Sequence, residues 1–159
     1  MTPRVYVETS IFSFYFDERM TPIIVANRMW TRAWWDERGQ EYECVVGATV
    51  LAELRRGDLP HREKSHEMAS KLPVVKPDLE TERIIGIYIA NRLMPADPVG
   101  DASHLALASV AGCEYLLTWN CRHLANASKF EHIENINRRL GLPVPRLVTP
   151  QQLLGRNEP

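Results

Sequence analysis

Short runs of apolar residues along the chain alternate with longer segments whose apolar positions recur at helical spacing. Apolar runs bounded by polar residues predict β-strands, and spacings of three and four residues predict amphipathic helices. Five strands are predicted, at residues 4–7, 43–46, 73–75, 115–118 and 146–148. Eight helical segments are predicted, at residues 11–15, 21–38, 50–56, 61–71, 79–93, 101–111, 130–140 and 150–154.

Polar residues in front of the apolar segments indicate where the helices begin. Ser, Thr and Asp side chains accept hydrogen bonds from the free N–H groups of a first helical turn. The helix predicted at residues 21–38 also has Pro22 at its first position and Gly39 at its end, as helices favour. The expected N-caps are Ser10, Thr21, Thr49, Asp78 and Asp101.

The helix predicted at residues 21–38 carries several large apolar side chains on one face. That face is expected to contain Ile23, Ala26, Trp30, Ala33 and Trp34, with Trp35 beside it. Aromatic surface is costly to leave in water, so this face is expected to pack in the core. The alternative is a surface that binds a partner protein or a second copy of the chain.

The order of the predicted elements favours an α/β fold. Short apolar strands that alternate with helices predict βαβ units and a mainly parallel sheet with helices on both faces. No repeat or break in composition divides the 159 residues, so a single domain over residues 1–159 is expected. Ligands bind beyond the carboxyl ends of the strands in such sheets, which points to Glu8 and Asn120.

The composition is that of an ordinary globular protein, with 45% hydrophobic and 25% charged residues. A formal net charge of −1 gives no global basic field of the kind that marks nucleic-acid binders, although a local basic surface stays open. No signal peptide or membrane-spanning run is evident. Three cysteines without CxxC spacing favour a reduced, cytoplasmic compartment, and Cys121 with His123 are too few ligands to indicate zinc.

Three carboxylates occupy positions that do not look purely structural. Glu8 ends the first strand, Asp101 begins a buried helix, and Glu53 shares a helix face with the apolar residues Val50 and Leu54. Each has an ordinary alternative: Glu8 as a solvated strand end, Asp101 as an N-cap, and Glu53 as a side chain reaching solvent.

These carboxylates and Asn120 reach one cleft if the first, second and fourth strands are neighbours in the sheet. Carboxylate and amide oxygens suit Mg²⁺ or Mn²⁺ rather than zinc. Carboxylates crowded together without a cation would repel one another and raise each other's pKa. The sequence therefore predicts a divalent metal site at this cleft.

Four short motifs in chain order resemble those of PIN-domain proteins, and in particular the VapC-type toxins of bacterial and archaeal type II toxin–antitoxin modules. The family's motifs are an Asp-Thr-Asn/Ser strand end, an acidic residue in an early helix, an Asp-Ala-x-x-x-Ala-x-Ala helix and a Leu-x-Thr-x-Asp/Asn strand end. The matching residues are Glu8-Thr9-Ser10, Glu53 within residues 49–54, Asp101-Ala102 through Ala108, and Leu117-Thr118-Trp119-Asn120. No single motif is specific, but the four in this order are.

The resemblance implies a three-layer PIN-like fold with strand order 3-2-1-4-5 and a metal-dependent ribonuclease activity. Glu8, Glu53 and Asp101 would hold one or two Mg²⁺ or Mn²⁺ ions, and Asn120 would position a metal-bound water. It also implies an RNA substrate, a cognate antitoxin protein and a homodimer. The mass of the purified chain in solution checks the last point, because a monomer would count against the dimer.

Further residues are expected at the edge of this site. Thr9 and Ser10 are expected to hydrogen-bond a carboxylate or a phosphate. His104, one helical turn after Asp101, would orient that carboxylate or contact substrate; the alternative is an ordinary, partly buried histidine. Arg122, with its neighbour His123, would bind phosphate at the mouth of the cleft, or else form a solvated helix start.

Two departures from the family pattern leave a second function open. Glu8 stands where the family has Asp, and Asn120 replaces an Asp of many members, so one carboxylate is longer and one negative charge is lost. The alternative is a catalytically weakened PIN domain that binds RNA or a protein. A small-substrate phosphatase would need an activated nucleophile near Asp101, and none is evident. The GxGxxG, Walker and GxSxG motifs of other enzyme classes are absent.

Overall fold

The structure is a computed structural model that describes residues 2–94, 98–120 and 127–155. Its strands are β1 (Arg4–Val7), β2 (Glu43–Gly47), β3 (Val74–Val75), β4 (Tyr115–Leu117) and β5 (Arg146–Val148). Its helices are α1 (Thr9–Phe16), α2 (Pro22–Arg38), α3 (Ala48–Arg56), α4 (Arg62–Ser70), α5 (Leu79–Ala90), α6 (Pro98–Val110), α7 (Ala127–Arg139) and α8 (Pro150–Leu154). The predicted elements are found in the predicted order, with ends that differ by a few residues.

The five strands form one parallel sheet in the order β3-β2-β1-β4-β5. In its central part Tyr6 of β1 is opposite Val45 of β2 on one side and Leu116 of β4 on the other. The sequence-based prediction of an α/β fold with this strand order is therefore confirmed. Because β1 lies between β2 and β4, the carboxyl ends of these three strands meet at one edge of the sheet.

Helices cover both faces of the central strands. Consecutive strand residues point to opposite faces of a sheet. Val5, Tyr6 and Val7 of β1 are nevertheless all fully buried, as are Leu116 and Leu117 of β4. These strands therefore lie between two helical layers, which explains why they read as continuous apolar runs. In the part of the chain that the structure describes, no helix is both long and apolar enough to cross a membrane.

The prediction for the apolar face of α2 is confirmed for Trp34 and Trp35 and is wrong for Ile23 and Trp30. Trp34 is fully buried and Trp35 packs against the core, but Ile23 is 71% exposed and Trp30 is 38% exposed. The fully buried polar residue of this helix is Thr31, whose hydroxyl accepts a hydrogen bond from the Trp119 ring nitrogen at 2.7 Å. The buried face of α2 is therefore rotated toward Thr31, and part of the predicted core face lies at the surface.

Helix starts also differ from three of the five predicted N-caps, which are Ser10, Thr49 and Asp101. Glu8, not Ser10, caps α1, because the Glu8 side chain accepts a hydrogen bond from the Ser10 backbone N–H. Gly47, not Thr49, precedes α3, and the Thr49 hydroxyl instead lies 2.7 Å from the hydroxyl of Ser103 on α6. Asp78 caps α5 as predicted. The Thr49 hydroxyl thus joins α3 to α6 instead of capping a helix.

Candidate active site

A cleft opens where the carboxyl ends of β1 and β4 meet the helices that follow β2 and precede β4. Its volume is about 390 Å³, and carboxylates from three separate elements line it. Glu8 follows β1, Glu53 lies on α3, and Asp101 lies on α6. The polar lining of the cleft also includes Thr9, Ser10, Ser13, Asp17, Arg19, His104 and Asn120. The parallel sheet therefore brings together residues that are up to 112 positions apart in the chain.

Glu8 is held in one orientation by hydroxyl groups. Its Oε1 accepts hydrogen bonds from Ser10 Oγ at 2.6 Å and from Thr118 Oγ1 at 2.5 Å. Its Oε2 accepts the backbone N–H of Ser10 at 3.1 Å. The residue is 7% exposed, so these donors satisfy a carboxylate that has lost most of its water. Glu8 is therefore a fixed, nearly buried acid at the floor of the cleft.

Glu53 is oriented by one neutral and one basic partner. Its Oε2 accepts a hydrogen bond from Thr9 Oγ1 at 2.6 Å, and its Oε1 lies 3.0 Å from His104 Nε2. Burial alone would raise the pKa of Glu53, but the hydrogen bond and charge of His104, with the Thr9 hydroxyl and the charge of Arg56, lower it overall. Glu53 therefore carries its negative charge at neutral pH.

His104 is 2% exposed and lies between the carboxylates and the sheet. Its Nδ1 is 2.8 Å from the Tyr6 hydroxyl, and its Nε2 is 4.0 Å from Glu8 Oε2 in addition to the Glu53 contact. Burial alone would lower the pKa of His104, but the hydrogen bond to Glu53 and the charges of Glu8, Glu53 and Asp101 raise it overall. The neighbouring carboxylates therefore favour the protonated form of this buried imidazole.

The position of Tyr6 depends on a glycine at the end of β2. A Cβ atom on Gly47 would collide with the Tyr6 hydroxyl group and lie only 2.7 Å from Leu107 Cδ1. Both of those side chains are fully buried and have no room to move aside. The close approach at Gly47 thus allows Tyr6 to reach His104 beneath the cleft.

Asp101 does not cap its helix, because α6 begins at Pro98 and places Asp101 within the first helical turn. It is 3% exposed, and its Oδ1 accepts a hydrogen bond from Asn120 Nδ2 at 3.2 Å. The N-terminal end of a helix stabilises a negative charge, so the electrostatic part of the sequence argument still holds. The carboxylate and the Asn120 amide are thereby joined across the cleft.

Thr118 and Ser10 connect the ends of β1 and β4. Ser10 Oγ accepts the backbone N–H of Trp119 at 2.9 Å, and Thr118 Oγ1 accepts the backbone N–H of Asn120 at 2.9 Å. Both hydroxyls also donate to Glu8. A single hydrogen-bonded network therefore fixes Glu8 and the segment that carries Asn120.

The structure brings most of the predicted site residues to one cleft. Arg122, His123 and Cys121 lie outside the described residues. Sequence reasoning missed Tyr6 and Thr118, which support His104 and Glu8 from the strands. In the sequence Tyr6 looks like any other strand residue. Thr118 lies within the motif Leu117-Thr118-Trp119-Asn120, and that motif could have identified it as a site residue. The predicted site residues that line the cleft are Glu8, Thr9, Ser10, Glu53, Asp101, His104 and Asn120.

The donor atoms at the centre of the cleft are spaced as a metal site requires. One ligand atom from each of Glu8, Glu53 and His104 lies within 4.8 Å of the others. The 3.0 Å between Glu53 Oε1 and His104 Nε2 is a hydrogen-bond distance, so a bound cation would replace this contact. Asp101 lines the same cleft. Carboxylates with one imidazole suit Mn²⁺, and the carboxylates alone suit Mg²⁺.

Comparisons with known proteins found a similarity to a solved structure but none to a family model or a curated protein. No family model matches the sequence, and no curated protein matches it. Among solved structures, the chain is similar to one described as VapBC2 from Rickettsia felis bound to a DNA fragment from their promoter. The TM-score is 0.49 and the identity is 14%, over 91% of this chain and 98% of that chain. A similarity this low does not indicate a function, so the function has to follow from the residues of the cleft.

Proposed function

We propose that the chain is a divalent-metal-dependent ribonuclease and the toxin of a type II toxin–antitoxin pair. The observation that carries the ribonuclease proposal is the convergence of Glu8, Glu53 and Asp101 on one cleft, where two of the three are more than nine-tenths buried. Three negative charges so close together are costly unless a cation compensates them. The imidazole of His104, even when it is protonated, supplies only one positive charge.

Glu8, Glu53 and Asp101 would hold Mg²⁺ or Mn²⁺, and His104 would offer a nitrogen donor at the same place once its Nε2 proton is released. A bound divalent cation lowers the pKa of water and stabilises negative charge on a phosphoryl group. The residues fit such an ion because their oxygens come from rigid elements and are oriented by Thr9, Ser10 and other hydroxyl donors.

The chain's own residues prepare the cleft for a phosphodiester. Glu53 is ionised and turned inward by Thr9 and His104. The Asn120 side chain donates to Asp101, which holds the amide at the edge of the cleft, where it would orient a water or a substrate hydroxyl. Because Glu8 and Asp101 are buried, their charges are screened little by solvent and act strongly on groups within the cleft.

RNA cleavage with and without metal tests the proposal. Purified chain is incubated with total bacterial RNA in Mg²⁺, in Mn²⁺ and in EDTA, and the products are resolved by size. We expect cleavage in either metal, no cleavage in EDTA, and recovery when excess Mn²⁺ is added back. Equal cleavage in EDTA would contradict the metal dependence, and no cleavage in any condition would contradict the ribonuclease function.

A catalytically weakened module that binds RNA or a protein is the second candidate function. It is favoured by the saturation of Glu8, whose two oxygens already accept three hydrogen bonds, and by the amide rather than carboxylate at position 120. The same experiment separates the two functions, because such a module would bind RNA without producing fragments in Mg²⁺ or Mn²⁺.

An antitoxin or a second copy of the chain is the proposed protein partner. The supporting observation is the exposed apolar surface of α2 and the residues before it, where Met20 is 76%, Ile23 is 71% and Met29 is 65% exposed. Large apolar side chains gathered on one surface helix are typical of protein interfaces. A monomer of 18.2 kDa in solution would exclude the homodimer.

A further inference from the structure

A second groove adjoins the acidic cleft and has a different chemical character. Its volume is about 550 Å³, and it shares Asp17, Arg19 and Leu59 with the cleft. It runs between the C-terminal end of α1, the start of α4 and the outer face of α2. Because the two cavities share these residues, a chain-like ligand that leaves the acidic cleft can continue directly into the groove.

Arginine side chains are fixed at the junction of the two cavities. The Arg19 guanidinium donates to both oxygens of Asp17, with the shortest distance 2.6 Å, and Asp17 itself is 3% exposed. Arg28 holds the same turn by donating to the backbone carbonyls of Asp17 and Arg19. The Arg19 side chain is still 60% exposed. It therefore presents a positive charge to the groove without the entropy cost of ordering a mobile side chain.

Further along the groove there are two more cationic side chains. Arg32 is held by a hydrogen bond from its Nε to the Tyr15 carbonyl at 2.8 Å, and its guanidinium lies over the Tyr15 ring. Lys64 lies on α4 and is exposed. The acidic side chains of the groove are Glu18 and the already paired Asp17. The groove is thus locally basic in a chain whose formal net charge is −1.

The groove also contains a buried polar atom without a hydrogen-bond partner, and it has an apolar wall. The Nε2 of His61 is buried and has no hydrogen-bond partner among the residues that the structure describes. A buried polar atom in this state is costly, and a bound phosphate oxygen or hydroxyl would satisfy it. Phe16, Leu59 and Pro60 supply apolar surface beside it. Cations that track a phosphate backbone beside apolar and aromatic side chains are the chemistry that binds single-stranded nucleic acid.

We propose that this groove binds the single-stranded RNA segment that flanks the phosphate in the acidic cleft, with Arg19, Arg32 and Lys64 contacting its backbone. The inference rests on the proposed ribonuclease function for the identity of the nucleic acid. The groove has more cationic than acidic side chains, whereas the cleft is mainly acidic, so the groove supplies RNA affinity while the cleft holds the phosphate to be cleaved. Contacts to phosphate fix the position of the strand and do not read its sequence.

RNA binding by charge variants tests the groove. A fluorescent single-stranded RNA of about 12 nucleotides is titrated with the full chain carrying Asp101→Asn in Mg²⁺, and anisotropy is measured at several salt concentrations. Arg19→Ala is avoided because it would leave Asp17 buried without its partner. The variants are Lys64→Ala and Arg32→Ala. The matched controls are Lys71→Ala, directly after the last residue of α4, and Arg83→Ala on α5, both exposed and each in an ion pair.

Each groove variant is expected to weaken RNA binding by about threefold or more at low salt and to reduce the salt slope by about 0.7. The controls are expected to bind as the parent does. Groove variants that bind like the controls would overturn the proposal. The proposal would also be overturned if the binding of a polyglutamate peptide depended on Arg32 and Lys64 while the binding of RNA did not. Groove-dependent RNA binding by a wild-type chain that cleaves no RNA would support the groove and refute the ribonuclease.

Discussion

Replacing Asp101 by asparagine is expected to lower the rate of RNA cleavage by about a hundredfold to a thousandfold, which corresponds to a loss of about 3 to 4 kcal/mol in the transition state. The change keeps the shape of the side chain and removes its charge. Asp101 is 3% exposed and joined to Asn120, so no nearby solvent-exposed acid can take its place without a rearrangement. Initial rates at saturating RNA and metal measure the effect.

The matched control for this variant is Asp58→Asn, because Asp58 is exposed in the connection between α3 and α4. Both variants should unfold at temperatures close to that of the wild type, since each loses only a charge. Asp101→Asn should be no less stable than Asp58→Asn, because it relieves repulsion within the cluster. Cleavage by Asp101→Asn within about twofold of the control would show that the transition state does not need this carboxylate.

Replacing His104 by alanine is expected to destabilise the metal-free chain by about 2 to 4 kcal/mol. The change leaves a cavity beneath the cleft and removes the partner of the buried Tyr6 hydroxyl and of Glu53 Oε1. Denaturant unfolding measures the loss. His132→Ala on α7 is the matched control, because His132 is exposed and its removal leaves no cavity.

The stability that His104 contributes should depend on pH in a defined way. Its pKa is raised in the folded chain, so its contribution is fully present below the unfolded pKa and is lost as pH rises through the folded pKa. The pKa of Glu53 is lowered, so its contribution is present above its unfolded pKa and is lost as pH falls through the folded pKa. The wild type should therefore exceed His104→Ala most between the unfolded pKa of Glu53 and the unfolded pKa of His104, where both contributions are fully present. A difference that grows as pH rises past the folded pKa of His104 would contradict the ion pair.

The sequence was informative about the fold because a parallel sheet leaves simple signals. β1 and β4 are covered on both faces, so both appear as apolar runs, and each ends at the polar residues of the cleft. The rule that ligands bind beyond parallel strand ends then identified Glu8 and Asn120 without further knowledge. Glu53 could be found because a carboxylate on an inward helix face needs a partner.

Helix starts and faces were harder to predict because tertiary contacts override local preference. Pro98 begins α6 three residues before Asp101, as proline at a first helical position allows. Thr49 has the side chain of an N-cap, yet its hydroxyl lies against Ser103. On α2 the buried face is set by the contact of Thr31 with Trp119, which is 88 residues away in the chain.

The contacts beneath the cleft, between Tyr6, His104 and Glu53, leave no local pattern in the sequence. Tyr6 meets His104 across 98 residues, and His104 meets Glu53 across 51 residues. Neither pair belongs to a spacing pattern that a single sequence can reveal. The space for Tyr6 depends on Gly47, which reads in the sequence as an ordinary strand end. The sequence could therefore place His104 one helical turn from Asp101. Only the fold shows that it is buried next to the carboxylates of Glu53 and Glu8.

Counting bound Mn²⁺ is the most direct test of the claim that the acidic cleft is a metal site. Free Mn²⁺ is measured by electron paramagnetic resonance as the ion is titrated into the purified chain, with Asp101→Asn, Glu53→Gln and the Asp58→Asn control in parallel. We expect saturable binding by the wild type and the control, and a loss of binding in the two cleft variants. No saturable binding by the wild type, or equal binding by all four chains, would contradict the metal site.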